Sequence, residues 1–138
     1  TAIIDVYSRF VVGWGLSNTL DADASIKVLK EAIDKYGKPE IVNSDQGCQF
    51  TCQKWITLLK DNGIRISMDG KGRALDNIYI ERLWRTVKRD YVYLNPADNG
   101  RELYTGLKHF FEEYNYRKYH QGIGRRIPHD LFSNKLAA

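Results

Sequence analysis

Between Gly37-Lys38-Pro39 and Asn43-Ser44-Asp45-Gln46-Gly47 lies Glu40-Ile41-Val42, whose short apolar run reads as a buried strand. It breaks at a polar turn holding Asp45 and Gly47, and a helical pattern follows. A strand that passes straight into a helix commits this part of the chain to a β-then-α unit. It also places a carboxylate just past a strand's C-terminal end, where open α/β sheets put their ligand sites. By itself such an Asp is as well explained as a turn former or a helix cap.

The flanking chain extends the pattern. Ala2 to Tyr7 reads as a strand, Ser8-Arg9 as a tight turn, and Phe10 to Leu16 as the hairpin partner. With Asp21 or Asp23 as cap, Ala24, Val28, Ala32 and Ile33 repeat at helical spacing to about Tyr36, where Gly37 and Pro39 end the run. Trp55, Ile56, Leu58 and Leu59 predict a helix reaching Asn62-Gly63, and Ile64 to Met68 alternates as a short strand. The glycine-rich, cationic 69–73 loop follows. A helix starting near Asp76 carries Ile80, Leu83, Trp84, Val87 and Tyr91 as one apolar stripe, with Glu81, Arg85 and Lys88 as a second stripe along its edge. Pro96 closes that segment. The last predicted helix runs from about Arg101 to Lys118, with Leu103, Leu107, Phe110, Phe111 and Tyr114 inward. Trp14, Trp55 and Trp84 are expected in the core. The order predicts an α/β fold, a mixed sheet flanked by helices, in a single domain.

Composition limits the partners. The 138 residues carry a formal charge of +4, which permits a polyanion without requiring one. No run approaches the ~18 apolar residues of a membrane span. Cys48 and Cys52 are too few for a disulfide framework and lack the further ligands of a zinc site, so they read as free thiols of a reducing cytosol.

If Asp45 and Glu81 share one cleft, their repulsion calls for a cation, and hard oxygen ligands suit Mg²⁺ or Mn²⁺. Two such ions about 4 Å apart can drive an in-line phosphoryl displacement, and Arg85 and Lys88 would stand beside the same phosphates. The alternative for Glu81 is a solvated i,i+4 partner of Arg85.

Asn43 to Thr51 resembles the second-aspartate motif of the DDE transposases and retroviral integrases, and Asp76-Asn77-Ile78-Tyr79-Ile80-Glu81-Arg82 resembles the glutamate motif of bacterial insertion-sequence transposases. Thirty-five residues separate the two acids, the spacing of that group, and Lys88 stands where it has a basic residue near the DNA end. The hairpin Ile4 to Arg9 with Val12-Gly13-Trp14 is similar too, as is the tail from Tyr114-Asn115 through His120 to Pro128.

The resemblance implies a ribonuclease H-like integrase-type core over 1–138, with 114–138 as a basic C-terminal flank. It implies Asp45 and Glu81 as catalytic and metal-binding residues for two Mg²⁺ or Mn²⁺ ions. It further implies double-stranded DNA as partner, both element terminal repeats and target, a homo-oligomer on DNA, and a bacterial cytosolic location. Lys71, Arg73, Arg85, Lys88, Lys118 and His120 are the expected DNA contacts. The run from Tyr114 to Arg126 interleaves aromatic and basic residues as nucleic-acid surfaces do, against the simpler reading of a basic flank with one core tyrosine. The chain departs from the pattern at Lys118, where the family usually has Arg. It also begins at the hairpin, whereas the family's first catalytic Asp lies on an earlier, central strand. The expectation is therefore a fragment inactive on its own, with an upstream Asp completing the site. Asp5, with 39 residues between it and Asp45 and so closer than the family's first acid, could substitute as a metal ligand, but it is expected to serve its own turn. A non-catalytic or DNA-binding remnant of a decayed element is the competing reading. Tyrosine-recombinase chemistry is set aside, because no Arg-His-Arg set surrounds one Tyr.

Overall fold

The computed structural model describes residues 1–17, 22–44, 47–68, 78–92 and 99–137. Along them run β1 (Ala2–Ile4), β2 (Val11–Trp14), α1 (Ala22–Tyr36), β3 (Ile41–Ser44), α2 (Cys48–Thr51), α3 (Gln53–Asp61) and β4 (Arg65–Met68). Then come α4 (Ile78–Val87), a π-helical turn (Lys88–Val92), α5 (Gly100–Tyr116), a 3₁₀ turn (Gln121–Ile123) and α6 (Pro128–Ala137). β1 pairs with β2, and β3 with β4. The chain forms two compact units, residues 1–3 with 12–78 and residues 4–11 with 79–138.

In the first unit β3 and β4 are parallel, with Val42 opposite Ile66 and Ser44 opposite Met68. Parallel neighbours need a crossover, which α2 and α3 supply. The βα reading of this stretch is thus met and the strand runs two residues beyond the apolar pair, but it is not the buried strand expected: Ile41 is exposed and Val42 half-buried, because β3 has a hydrogen-bonded neighbour, β4, on one side only among the described residues. Leu29, Trp55, Leu59 and Ile64 form the core, flanked by Ile3, Ile26, Ile33, Val42, Phe50 and Ile66. Gly37 ends α1 at φ 93°, a left-handed conformation that a Cβ disfavours. β2 lies close on α1. A Cβ built on Gly13 would stand 3.0 Å from Val28 Cγ1, and one on Gly15 would stand 2.7 Å from Val28 Cγ2. Gly15→Ala is therefore expected to destabilise the protein by about 1–3 kcal/mol, and Val28→Ala on that background to recover part of the loss in thermal melts.

In the second unit the hairpin turn is built around Asp5. Its Oδ2 accepts hydrogen bonds from Ser8 N–H at 2.9 Å and from the Ser8 hydroxyl at 2.6 Å. The Ser8 oxygen in turn accepts from Phe10 N–H at 3.1 Å. This network holds Arg9 at φ 64°, a region that costs an L-residue about 1–2 kcal/mol. Phe10, fully buried, stacks on Phe132 with ring centres 4.7 Å apart. Asn115, also buried, makes both of its amide hydrogen bonds to the Val11 backbone: Val11 N–H donates to Oδ1 at 2.8 Å, and Nδ2 donates to Val11 O at 3.0 Å. Asn99 caps α5 by accepting from Glu102 N–H.

Several expectations change. Both hairpin strands are shorter than predicted, because the Asp5–Ser8 network turns the chain early. Trp14 and Trp84 are half-buried and only Trp55 is core. α5 stops at Tyr116, two residues before Lys118. α6 was not foreseen. Its buried apolar residues Leu131 and Phe132 are adjacent rather than spaced at three or four, and the signal that marks it is Pro128 at its first position. Asp21, Asp76 and Pro96 lie outside the described residues.

Candidate active site

Glu81 stands in the first turn of α4, where the helix dipole favours a carboxylate. Its orientation follows from its neighbours. Leu83 and Val87, one turn apart, are 2% and 3% exposed and fix the inward face, which leaves Glu81, Arg85 and Lys88 exposed on the outward side. The second stripe read from the sequence is therefore present. Among the described residues Glu81 is not ion-paired with Arg85, so the carboxylate is not consumed as a helix-surface salt bridge.

Asp45 follows Ser44, the last residue of β3, and lies outside the described residues, as do Lys71 and Arg73. Among the described residues no group of three or more His, Cys, Asp and Glu side chains could hold a metal. The exposed Glu81 carboxylate is nonetheless the hard oxygen donor that Mg²⁺ or Mn²⁺ prefers, and two basic side chains on the same helix face suit a phosphate beside it.

Lys118 is exposed just beyond α5. His120 is half-buried: its Nε2–H donates to Tyr114 O at 3.2 Å, and its ring meets the Tyr114 ring edge-on at 4.4 Å. Burial holds its pKa below the ordinary 6.5, opposed by the hydrogen bond to the Tyr114 carbonyl and assisted by the Lys118 charge. The folded state thus takes up this proton less readily than the unfolded chain, so stability falls as pH drops from about 6.5 toward the folded pKa. His120→Gln should flatten that part of a melting-temperature profile between pH 7.5 and 5. Tyr114 belongs to the core, 6% exposed, and burial pushes its hydroxyl to about 12 against the lowering effect of Arg9. Of the aromatic and basic run, Tyr119 is the most exposed ring.

Sequence reasoning missed Asn115 as a structural clamp, and the pairing of Arg9 with Tyr79, whose guanidinium carbon lies 3.8 Å from the ring centre. A left-handed Arg9 had no local sequence signal, because the Asp5–Ser8 hydrogen bonds impose it. No described helix is long and apolar enough to cross a membrane.

The Integrase core domain family matches residues 1–74, and a second family of the same description matches residues 62–128. The chain is 30% identical to the transposase for insertion sequence element IS904 of Lactococcus lactis over 134 residues, covering 93% of this chain and 52% of that protein. It is 27% identical to transposase InsF for insertion sequence IS3A of Escherichia coli, covering 99% of this chain and 48% of that protein. The chain thus spans about half the length of the curated relatives it matches. The HTLV-2 integrase catalytic core domain, solved in complex with magnesium in a dimeric form, superposes with a TM-score of 0.71 at 17% identity, over 94% of this chain and 80% of that one. That likeness establishes the fold as the ribonuclease H-like fold of retroviral integrase cores. The chain therefore belongs to the integrase core domain family, with insertion-sequence transposases among its relatives.

Proposed function

We propose that residues 1–138 act as the catalytic core of a DDE insertion-sequence transposase, which cuts a phosphodiester at the element's ends and joins the freed 3′-hydroxyl to target DNA. The observation that carries this reading is an exposed Glu81 on a helix face shared with Arg85 and Lys88, in a chain of the integrase core family. Asp45 and Glu81 would hold Mg²⁺ or Mn²⁺. When bound, such ions polarise the phosphoryl oxygens and make a water or hydroxyl nucleophilic at neutral pH. The magnesium in the HTLV-2 integrase core supports the choice of ion, and the dimeric form of that core supports a homo-oligomer on DNA.

The chain's own residues supply binding and placement. Arg85 and Lys88 lie one and two turns beyond Glu81, so they would meet phosphates flanking the scissile bond. Lys71, Arg73 and Lys118 would extend the contact along the backbone. His120, neutral near pH 7, would serve through its contacts with Tyr114 rather than as a charge. The proposed substrates are the element's double-stranded terminal repeats and target DNA, met in the bacterial cytosol.

The gene product carrying this chain, given Mg²⁺ and duplex DNA ending in the element's terminal sequence, should release 3′-hydroxyl ends and join them to a second duplex. EDTA should stop both steps. Metal-independent cleavage, or a covalent protein–DNA intermediate, would refute the proposal.

A further inference from the structure

Arg9 sits in the hairpin turn at φ 64°, a left-handed conformation that glycine would fill without strain. Its backbone is held there from both sides. Ser8 and Phe10, its chain neighbours, are fully buried, and its own N–H donates to Asp5 O at 2.7 Å. The turn thereby aims the side chain at α4, where the guanidinium carbon lies 3.8 Å from the centre of the Tyr79 ring. A strained residue that surrounding hydrogen bonds hold in place points to a task for its side chain.

Tyr79 is the second residue of α4, and Glu81 follows it within the same turn. At about 100° per residue, Glu81 lies roughly 200° round the helix from Tyr79, so the stack grips the face away from the carboxylate and leaves Glu81 exposed. Tyr79 shares its side of α4 with Leu83, four residues on, and both line one concavity with Arg9 and Ile4. Leu83 is also the first fully buried residue of the helix. The turn that carries Glu81 thus comes before the buried anchors, at an end where helices fray. A cation held against an aromatic ring at that end opposes fraying. The placement matters, because a shift of about 1 Å in a group that acts on a reacting centre can cost about 100-fold in rate.

We propose that Arg9 and Tyr79 are positioning residues for Glu81: the guanidinium, presented by the strained hairpin turn, clamps the first turn of α4 through the Tyr79 ring and so fixes where the carboxylate stands. The inference rests on the reading that Glu81 holds a metal ion, and it adds the device that keeps this ligand in place. Neither residue touches the reacting atoms; both act through the backbone of α4.

Amide hydrogen exchange of the 138-residue chain in EDTA reads the clamp directly. In the helical pattern of α4 the N–H groups of Arg82 and Leu83 bond to carbonyls of the first turn, whereas that of Val87 bonds to Leu83 in the helix body. Tyr79→Leu and Arg9→Gly should each speed exchange at Arg82 and Leu83 roughly threefold to tenfold and leave Val87 within about twofold. Tyr79→Phe keeps the ring and should match the parent. Arg9→Gly also relieves the strained turn, so its melting temperature should stay close to the parent's. In Mg²⁺-dependent cleavage by the gene product, Tyr79→Leu and Arg9→Gly should lower the rate at saturating duplex about tenfold and leave the half-saturating duplex concentration within about twofold. Unchanged exchange at Arg82 and Leu83 in either variant, or equal acceleration at Val87, would overturn the proposal. So would a raised half-saturating concentration with an unchanged rate, since Arg9 would then be a DNA contact, or loss of the rate in Tyr79→Phe. Because exchange is read without metal or DNA, the two readings fail separately. A loosened turn beside full cleavage by Glu81→Gln would refute the role of Glu81 in the proposed function, and unchanged exchange beside lost cleavage by Glu81→Gln would refute the clamp alone.

Discussion

Glu81→Gln is expected to lower Mg²⁺-dependent strand cleavage by the gene product at least about 100-fold, while duplex binding in EDTA and the melting temperature stay unchanged. The amide keeps the size and one oxygen of the carboxylate but loses the charge that offsets a divalent cation. Glu81 is exposed, whereas Leu83 and Val87 carry the buried face of α4, so the substitution should leave the fold intact. On the proposed function, Asp45→Asn should reproduce the effect, and the double variant should be little worse than either alone, because ligands of a shared centre would act as a unit. Arg85→Ala should act differently. It would remove a proposed phosphate contact, so it should weaken binding and flatten its salt dependence. Cleavage by Glu81→Gln within about threefold of the parent would remove this residue from the chemistry.

The second large effect concerns stability. Asn115→Ala is expected to destabilise the protein by roughly 2–6 kcal/mol, because the buried Val11 N–H and C=O each lose their partner at about 1–3 kcal/mol apiece. The bonded residues lie 104 apart in sequence, so the side chain ties the start of β2 to the end of α5. Asn115→Asp should also fail, since it keeps the acceptor, loses the donor, and places a buried carboxylate against the Val11 carbonyl. Urea or thermal melts decide the matter. Loss of less than about 1 kcal/mol in both variants would show the clamp to be dispensable. The tail motif containing Tyr114-Asn115, suggestive of a nucleic-acid surface in sequence, thus begins as core packing.

What was legible in the sequence was whatever periodicity carries. The apolar pair Ile41-Val42 marks where β3 begins, and α4 shows its inward Leu83 and Val87 because they repeat at helical spacing. Spacing also separated the Glu81, Arg85 and Lys88 stripe from the core. The rest depends on contacts between distant residues or on single hydrogen bonds. Asp5 holding Ser8, Asn115 holding Val11 and Arg9 lying over Tyr79 leave no periodic trace. α6 was hidden because its burial rests on two adjacent residues, Leu131 and Phe132.

The proposed function turns on Asp45 and Glu81 serving one metal centre. Paramagnetic broadening of backbone amides by sub-stoichiometric Mn²⁺ tests it most directly, comparing the parent chain with Asp45→Asn and Glu81→Gln. The account predicts that amides of Ser44 and Gly47 broaden together with those of Ile80 and Arg82, and that either substitution abolishes both effects. Broadening at one position that survives substitution of the other would contradict it.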